Sequence, residues 1–291
     1  MKKTLFFTLF YSFLFFSCQE KTKGCLDPLA KNFSIGADNP CDEESVSGCP
    51  CEYPKFNIGF FYGNKVKNAN MKDTLVQWTN SVLMKNNLNQ IYSVKNIYLY
   101  LSDIQLIKKD KSVFYSIDSV ALPIKISNKD SFVQKVRKDF TLMDSNNSSI
   151  EIGTIKEYGQ FEKLKFKIGL QNPVNQCNSF KKNQISVAYQ SVFGIDSSLY
   201  LSNSYEHYSG LIAYKSDTAK ASPTKKILFK DQLDIELLIP ANVYFSKATD
   251  LRAVLNFECS KLLQDVDFQK DTADDIRKKV VQNLTKCWQW R

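Results

Sequence analysis

Histidine is nearly missing from this chain: His207 is the only one in 291 residues. A Ser-His-Asp or Cys-His system would have to use it as the base. No Gly-x-Ser-x-Gly elbow accompanies it, so triad hydrolysis is excluded as a working reading. Glycine is also scarce, at 10 residues, and no Gly-rich loop is present to cradle a phosphate. No Cys-x-x-Cys-His occurs, which removes covalent haem. Paired carboxylates for glycoside hydrolysis lie far apart in sequence and leave no local signature. An envelope enzyme acting on carbohydrate therefore ranks last among the readings, and the chain is read as non-catalytic.

What is abundant is aromatic and apolar. Hydrophobic residues make up 43%, with 21 Phe and 14 Tyr. Such rings suit the half-buried face of a pleated sheet. The first residues have a different purpose. Lys2 and Lys3 form a positive n-region, and Leu5 to Phe16 is apolar except for Thr8 and Ser12. This is a secretory leader, too short to span a bilayer as a helix. Ser17-Cys18 follows at once and resembles a bacterial lipobox, with Phe15 where Leu is usual. The resemblance implies cleavage before Cys18 and acylation of that residue, which holds a protein to a membrane through buried methylenes. The expected location is the cell envelope, anchored at the outer membrane. Losing Lys2 and Lys3 lowers the formal charge from +9 to +7. The remaining lysines are scattered without a basic, aromatic-interleaved stripe, so no nucleic-acid partner is expected.

Eight cysteines are present. Beyond Cys18, four crowd together: Cys25, Cys41, Cys49 and Cys51. An exported chain lives where disulfides persist, so these read as two bridges in one of three connectivities. Cys49-Pro50-Cys51 lacks the gap of a zinc knuckle. Cys177, Cys259 and Cys287 most simply give one further pair and one free thiol.

These features divide the chain into a signal peptide (1–17), a polar tether (18–24), a Cys-rich loop module (25–54), a β-domain (55–260) and a C-terminal helical extension (261–291). The module is too short to bury a core and needs covalent staples. Its Asp27, Asp38 and Asp42 are candidate calcium ligands, although no fixed ligand spacing is present. From Phe56 onward, short alternating runs are separated by turn residues. The best are Val94 to Ile107, Ser149–Ile155, Lys163–Leu170, Gln184–Phe193, Ser209–Tyr214, Lys226–Lys230, Leu233–Ile239 and Ala253–Glu258. The fold class that follows is mostly β: an antiparallel β-sandwich or open barrel, with one C-terminal helix and a small disulfide-stapled N-terminal module. That helix is expected over Thr272–Trp288, where Ile276, Val280 and Leu284 share one face. A second helix is expected over Asp130–Phe140.

Three stretches carry family resemblances. Gly24 to Phe33, with Asp27-Pro28, Ala30 and Asn32, resembles a GCxDPxAxNF element of surface and secreted proteins of Bacteroidetes. Val94-Lys95-Asn96-Ile97-Tyr98-Leu99-Tyr100-Leu101-Ser102-Asp103-Ile104-Gln105-Leu106 resembles a strand of the MbnP-like, copper-associated lipoproteins. Tyr158 to Asn175, with Phe166-Lys167-Ile168-Gly169-Leu170 at its centre, resembles a second segment of that family. The resemblance covers about residues 55–260. It implies a β-rich fold and, in members that carry the ligands, copper binding. It also implies an envelope partner such as a di-haem peroxidase. Where the family carries Trp-rich and His-containing sequence, this chain has Tyr205-Glu206-His207-Tyr208-Ser209-Gly210-Leu211. Copper favours imidazole and thioether donors, so His207 is the candidate metal ligand, with Met71, Met84 and Met143 the thioethers available. The reading is a lipid-anchored envelope binding protein with its ligand unnamed; copper handling is the alternative.

Overall fold

The computed structural model describes residues 21–40, 50–67, 73–125, 131–177, 199–201, 204–216 and 222–291. Cys18, Cys41, Asp42, Cys49, Met71 and the expected strand Gln184–Phe193 lie outside them. Contacts divide the chain into two units, residues 1–53 and 54–291.

The first unit is a stapled loop. Cys25 and Cys51 form a disulfide that closes 26 residues, one of the pairings the sequence left open. The GCxDPxAxNF signature has a physical reading here. A Cβ on Gly24 would lie 2.8 Å from the Ala37 Cβ, so only glycine fits. Asp27 accepts the Leu29 N–H at 2.9 Å and the Tyr53 hydroxyl at 2.7 Å, which fixes the turn at Pro28. Ala30 is fully buried. The Asn32 side chain donates to the Pro50 carbonyl and accepts from the Glu52 N–H.

The second unit holds thirteen strands of three or more residues among those described. They are β1 (Lys55–Lys67), β2 (Asp73–Gln77), β3 (Ile91–Ile107), β4 (Ser119–Lys125), β5 (Ser131–Arg137), β6 (Thr141–Asp144) and β7 (Ser149–Thr154). Then come β8 (Lys163–Ile168), β9 (Gly210–Lys215), β10 (Lys225–Phe229), β11 (Leu233–Leu238), β12 (Leu251–Glu258), helix α1 (Ala273–Leu284) and β13 (Trp288–Trp290). The larger sheet runs β10-β9-β3-β8-β11, and β6 also pairs with β3. The smaller runs β7-β1-β12-β13, with β2 on β1. Pairing is antiparallel with one exception: β1 and β12 run parallel, placing Ile58 beside Ala253 and Phe60 beside Leu255.

The main core lies between these two sheets. Ile97, Leu99 and Leu101 of β3 meet Phe56, Ile58 and Phe60 of β1 there, together with Phe166 and Phe257. Burying each such side chain contributes roughly 1.5–3 kcal/mol. The alternate β3 residues Tyr98 and Tyr100 turn to the other face of the larger sheet. There they join Leu122, Ile124, Val136 and Phe140 in a second core. The period-two pattern of β3 therefore serves two cores, which is why the strand is buried almost throughout.

Three expectations need correction. The segment 130–140 is not a helix: Ser131–Arg137 is β5, paired with β4 from Ser119↔Arg137 to Lys125↔Ser131. Phe132, Val133, Val136 and Phe140 imitate a helical spacing, but pairing with β4 and β-branched packing prevailed. The C-terminal helix ends at Leu284 rather than Trp288. Residues 288–290 add an antiparallel strand to β12, because the Trp288 ring packs 4.8 Å from Phe257 and 5.0 Å from Phe166. Finally, Cys177, Cys259 and Cys287 are all free and buried. Cys177 lies in the second core, while the other two lie in the main core with their thiols directed at the Phe257 and Asn283 carbonyls.

The start of α1 agrees with its sequence. Thr272 caps it: its Oγ1 accepts the Asp275 N–H, and the Asp275 carboxylate accepts the Thr272 N–H. Ile276, Val280 and Leu284 are buried. Among the described residues no helix is long and apolar enough to cross a membrane.

Candidate ligand-binding site

His207 sits where the second core runs out, in a two-residue strand that pairs with Tyr200–Leu201. Its ring is 4% exposed and is flanked by Tyr200 and Tyr100, at centroid distances of 4.9 Å and 5.4 Å. Nε2 lies 3.1 Å from the Cys177 carbonyl, and Nδ1 lies 3.4 Å from the Tyr100 hydroxyl. A carbonyl only accepts, so Nε2 carries the proton and Nδ1 receives the hydroxyl. Burial pushes the imidazole down to about 4, against the smaller opposing pull of the Cys177 carbonyl. At neutral pH it is uncharged.

A cavity of about 580 Å³ opens beside it. Three segments build the walls: the loop after β8, the turn holding Glu206–Ser209, and the β10–β11 turn. The loop is pinned from several sides. Gly169 donates its N–H to the Tyr100 carbonyl and accepts the Ser102 hydroxyl. Its φ is +103°, and a Cβ there would lie 2.6 Å from Ser209 Oγ, so glycine is required. Gln232 Nε2 donates to the Leu170 carbonyl at 2.9 Å. Asn175 Oδ1 accepts the His207 N–H at 3.0 Å. The lining is mostly polar and includes Gln171, Asn172, Lys167 and Lys230. The two ammonium groups stand 3.8 Å from Asp234 and 3.6 Å from Glu206, loose pairs in partly exposed positions.

The end of Tyr158–Asn175, a stretch that carries the family resemblance, thus meets at one cavity the stretch where the chain departs from that family, Tyr205–Leu211, through His207. No protein-family model and no curated protein matches the chain. Among solved structures there is one likeness to record.

The fold is similar to that of MbnP from Methylosinus trichosporium. The TM-score is 0.41 at 10% identity, over 73% of this chain and 78% of MbnP. That level of similarity assigns neither MbnP's family nor its chemistry to this chain.

Among the described residues, the donors near His207 are not gathered into a copper-binding set. Both ring nitrogens of His207 are engaged. Met84 and Met143 are buried in the main core, apart from the second core that adjoins His207, and Met71 lies outside the described residues. Burial raises the Cys177 thiol to about 12, which keeps it protonated and a poor ligand. Among the described residues no group of three or more His, Cys, Asp or Glu is placed to hold a metal ion. The calcium candidates are divided as well: Asp27 is spent on Leu29 and Tyr53, Asp38 accepts from Thr22, and Asp42 lies outside the described residues.

The sequence singled out His207, as a metal ligand; it did not single out Lys167, Gln171, Lys230 and Gln232, which line the same cavity. Their one signal was adjacency to Gly169 and to the turn between two strands.

Proposed function

We propose that this chain is an exported protein tethered to the cell envelope through Cys18, which captures a small, negatively charged polar ligand in the His207 cavity without transforming it. The leader and lipobox support the anchoring. The observation that carries the binding role is the cavity itself: a polar lining in which the two ammonium groups of Lys167 and Lys230 outnumber the one carboxylate, Glu206, beside an imidazole that is neutral and hydrogen-bonded at both nitrogens. Such a site offers hydrogen bonds and positive charge but no activated nucleophile.

Copper handling, the role implied by the sequence resemblance, is the alternative reading. Calorimetric titration of the mature protein with acetate, succinate and inorganic phosphate tests the choice. At least one anion should bind and be lost in Lys167→Gln/Lys230→Gln. Binding by none, or binding indifferent to that change, sinks the proposal. Tight copper binding that weakens in His207→Ala would restore the metal reading. Anchoring is tested separately: mass spectrometry should find acylated Cys18 as the first residue, and an intact Met1 would refute it.

A further inference from the structure

A second cavity, of about 330 Å³, lies at the smaller sheet, remote in sequence from His207. Charged residues make up 24% of the chain, yet none of the eleven residues lining this cavity is charged. Its walls combine aromatic rings with carboxamides and hydroxyls. Trp78 and Tyr62 pack at a centroid distance of 6.2 Å. Around them stand Gln77, Asn80 and Asn147, exposed residues whose side-chain amides make no hydrogen bond to any described residue.

The charged groups bordering the cavity are already engaged. Asp144 accepts from the backbone and side chain of Asn146. Lys95 donates to the Asn80 carbonyl at 2.7 Å, and the Arg291 guanidinium lies 4.0 Å over the Phe61 ring. Beneath the surface, the Trp78 indole N–H is buried with no acceptor among the described residues. The loop carrying Asn146 and Asn147 is not slack: Tyr62 donates its hydroxyl to the Asp144 carbonyl at 2.9 Å, and Ser145 Oγ accepts the Ile97 N–H at 3.1 Å.

The geometry points to a binding site for a neutral, polyhydroxylated ligand, a saccharide. Carboxamides match hydroxyl groups because each presents both donors and an acceptor. An uncharged lining demands no counter-ion and spares an uncharged ligand the cost of desolvating a fixed charge. The exposed edges of the rings beside the amides offer a small apolar surface to a sugar's C–H groups: Tyr62 and Trp78 are each 7% exposed, and Arg291 covers one face of Phe61. The ordered loop fixes the backbone that carries Asn146 and Asn147, and Asp144 holds the Asn146 amide, which lowers the entropy lost on binding. This site is independent of the anion cavity.

The test uses the full mature protein and a panel of glucose, N-acetylglucosamine, cellobiose and maltotriose, with glucuronate as the charged control. Calorimetry is read alongside tryptophan fluorescence, to which Trp78 contributes. At least one neutral sugar should bind, and glucuronate should bind more weakly. Asn80→Ala/Asn147→Ala removes two amides that carry no described internal side-chain bond. It should weaken binding about thirtyfold, since the two lost hydrogen bonds, on the order of 1 kcal/mol each, sum to about 2 kcal/mol, with the melting temperature unchanged. Absence of binding across the panel overturns the assignment. So does unchanged affinity in the double variant, or binding lost only in Lys167→Gln/Lys230→Gln, which would place the sugar in the other cavity.

Discussion

Because His207 is the only histidine, its titration can be measured without interference from another imidazole. Burial holds the folded-state value at about 4, against 6.5 for a free imidazole. The unfolded chain therefore takes up the proton first as pH falls. The neutral folded form is fully stable above pH 6.5. Stability drains away as pH drops through 6.5, and the loss levels off below about 4, where both states are protonated. The gap corresponds to a loss of about 2 kcal/mol at pH 5 and about 3 kcal/mol at the acid limit. The comparison is with His207→Gln, whose amide can still donate to the Cys177 carbonyl but does not titrate. Urea unfolding of both proteins from pH 7.5 to 4.5 gives two curves, and their difference removes the carboxylate contributions common to both. The wild type should fall faster by about 2 kcal/mol by pH 5. Parallel curves would mean that the ring is charged or solvated in the fold, and the assigned tautomer and its bond to Cys177 would go with it. An NMR titration of the single imidazole gives the same answer directly.

Three further outcomes are expected. Gly169→Ala forces a side chain into a left-handed conformation and against Ser209 Oγ. It should cost at least about 1 kcal/mol in chemical denaturation and abolish anion binding. Cys51→Ser opens the 26-residue loop; it should remove about 3 kcal/mol from the N-terminal unit, seen as rapid proteolysis within residues 21–53, while the melting of residues 54–291 stays in place. Thr272→Ala removes the cap of α1 and should lower stability by about 1 kcal/mol, measured as a fall in melting temperature.

Much of the architecture was legible in sequence because it rests on local rules. Alternation at Ile97, Leu99 and Leu101 marked β3, and fourfold spacing at Ile276, Val280 and Leu284 marked α1 with its acidic first turn. The errors arose where distant residues decided the outcome. Ser131–Arg137 is a strand because β4 lies beside it. Trp288 leaves the helix because Phe257 and Phe166 form a slot for its ring. Cys259 and Cys287 share the main core, yet each thiol is turned to a carbonyl of its own neighbourhood.

The chain on its own determined the fold class: many short alternating strands with one C-terminal helix. These are properties of composition and spacing, readable before any contact forms. Only the tertiary structure could decide which side chains share a cavity. Lys167, His207 and Lys230 belong to three separate segments, and Trp78 and Asn147 to two more. Their meeting depends on strand order and register, which no local pattern encodes.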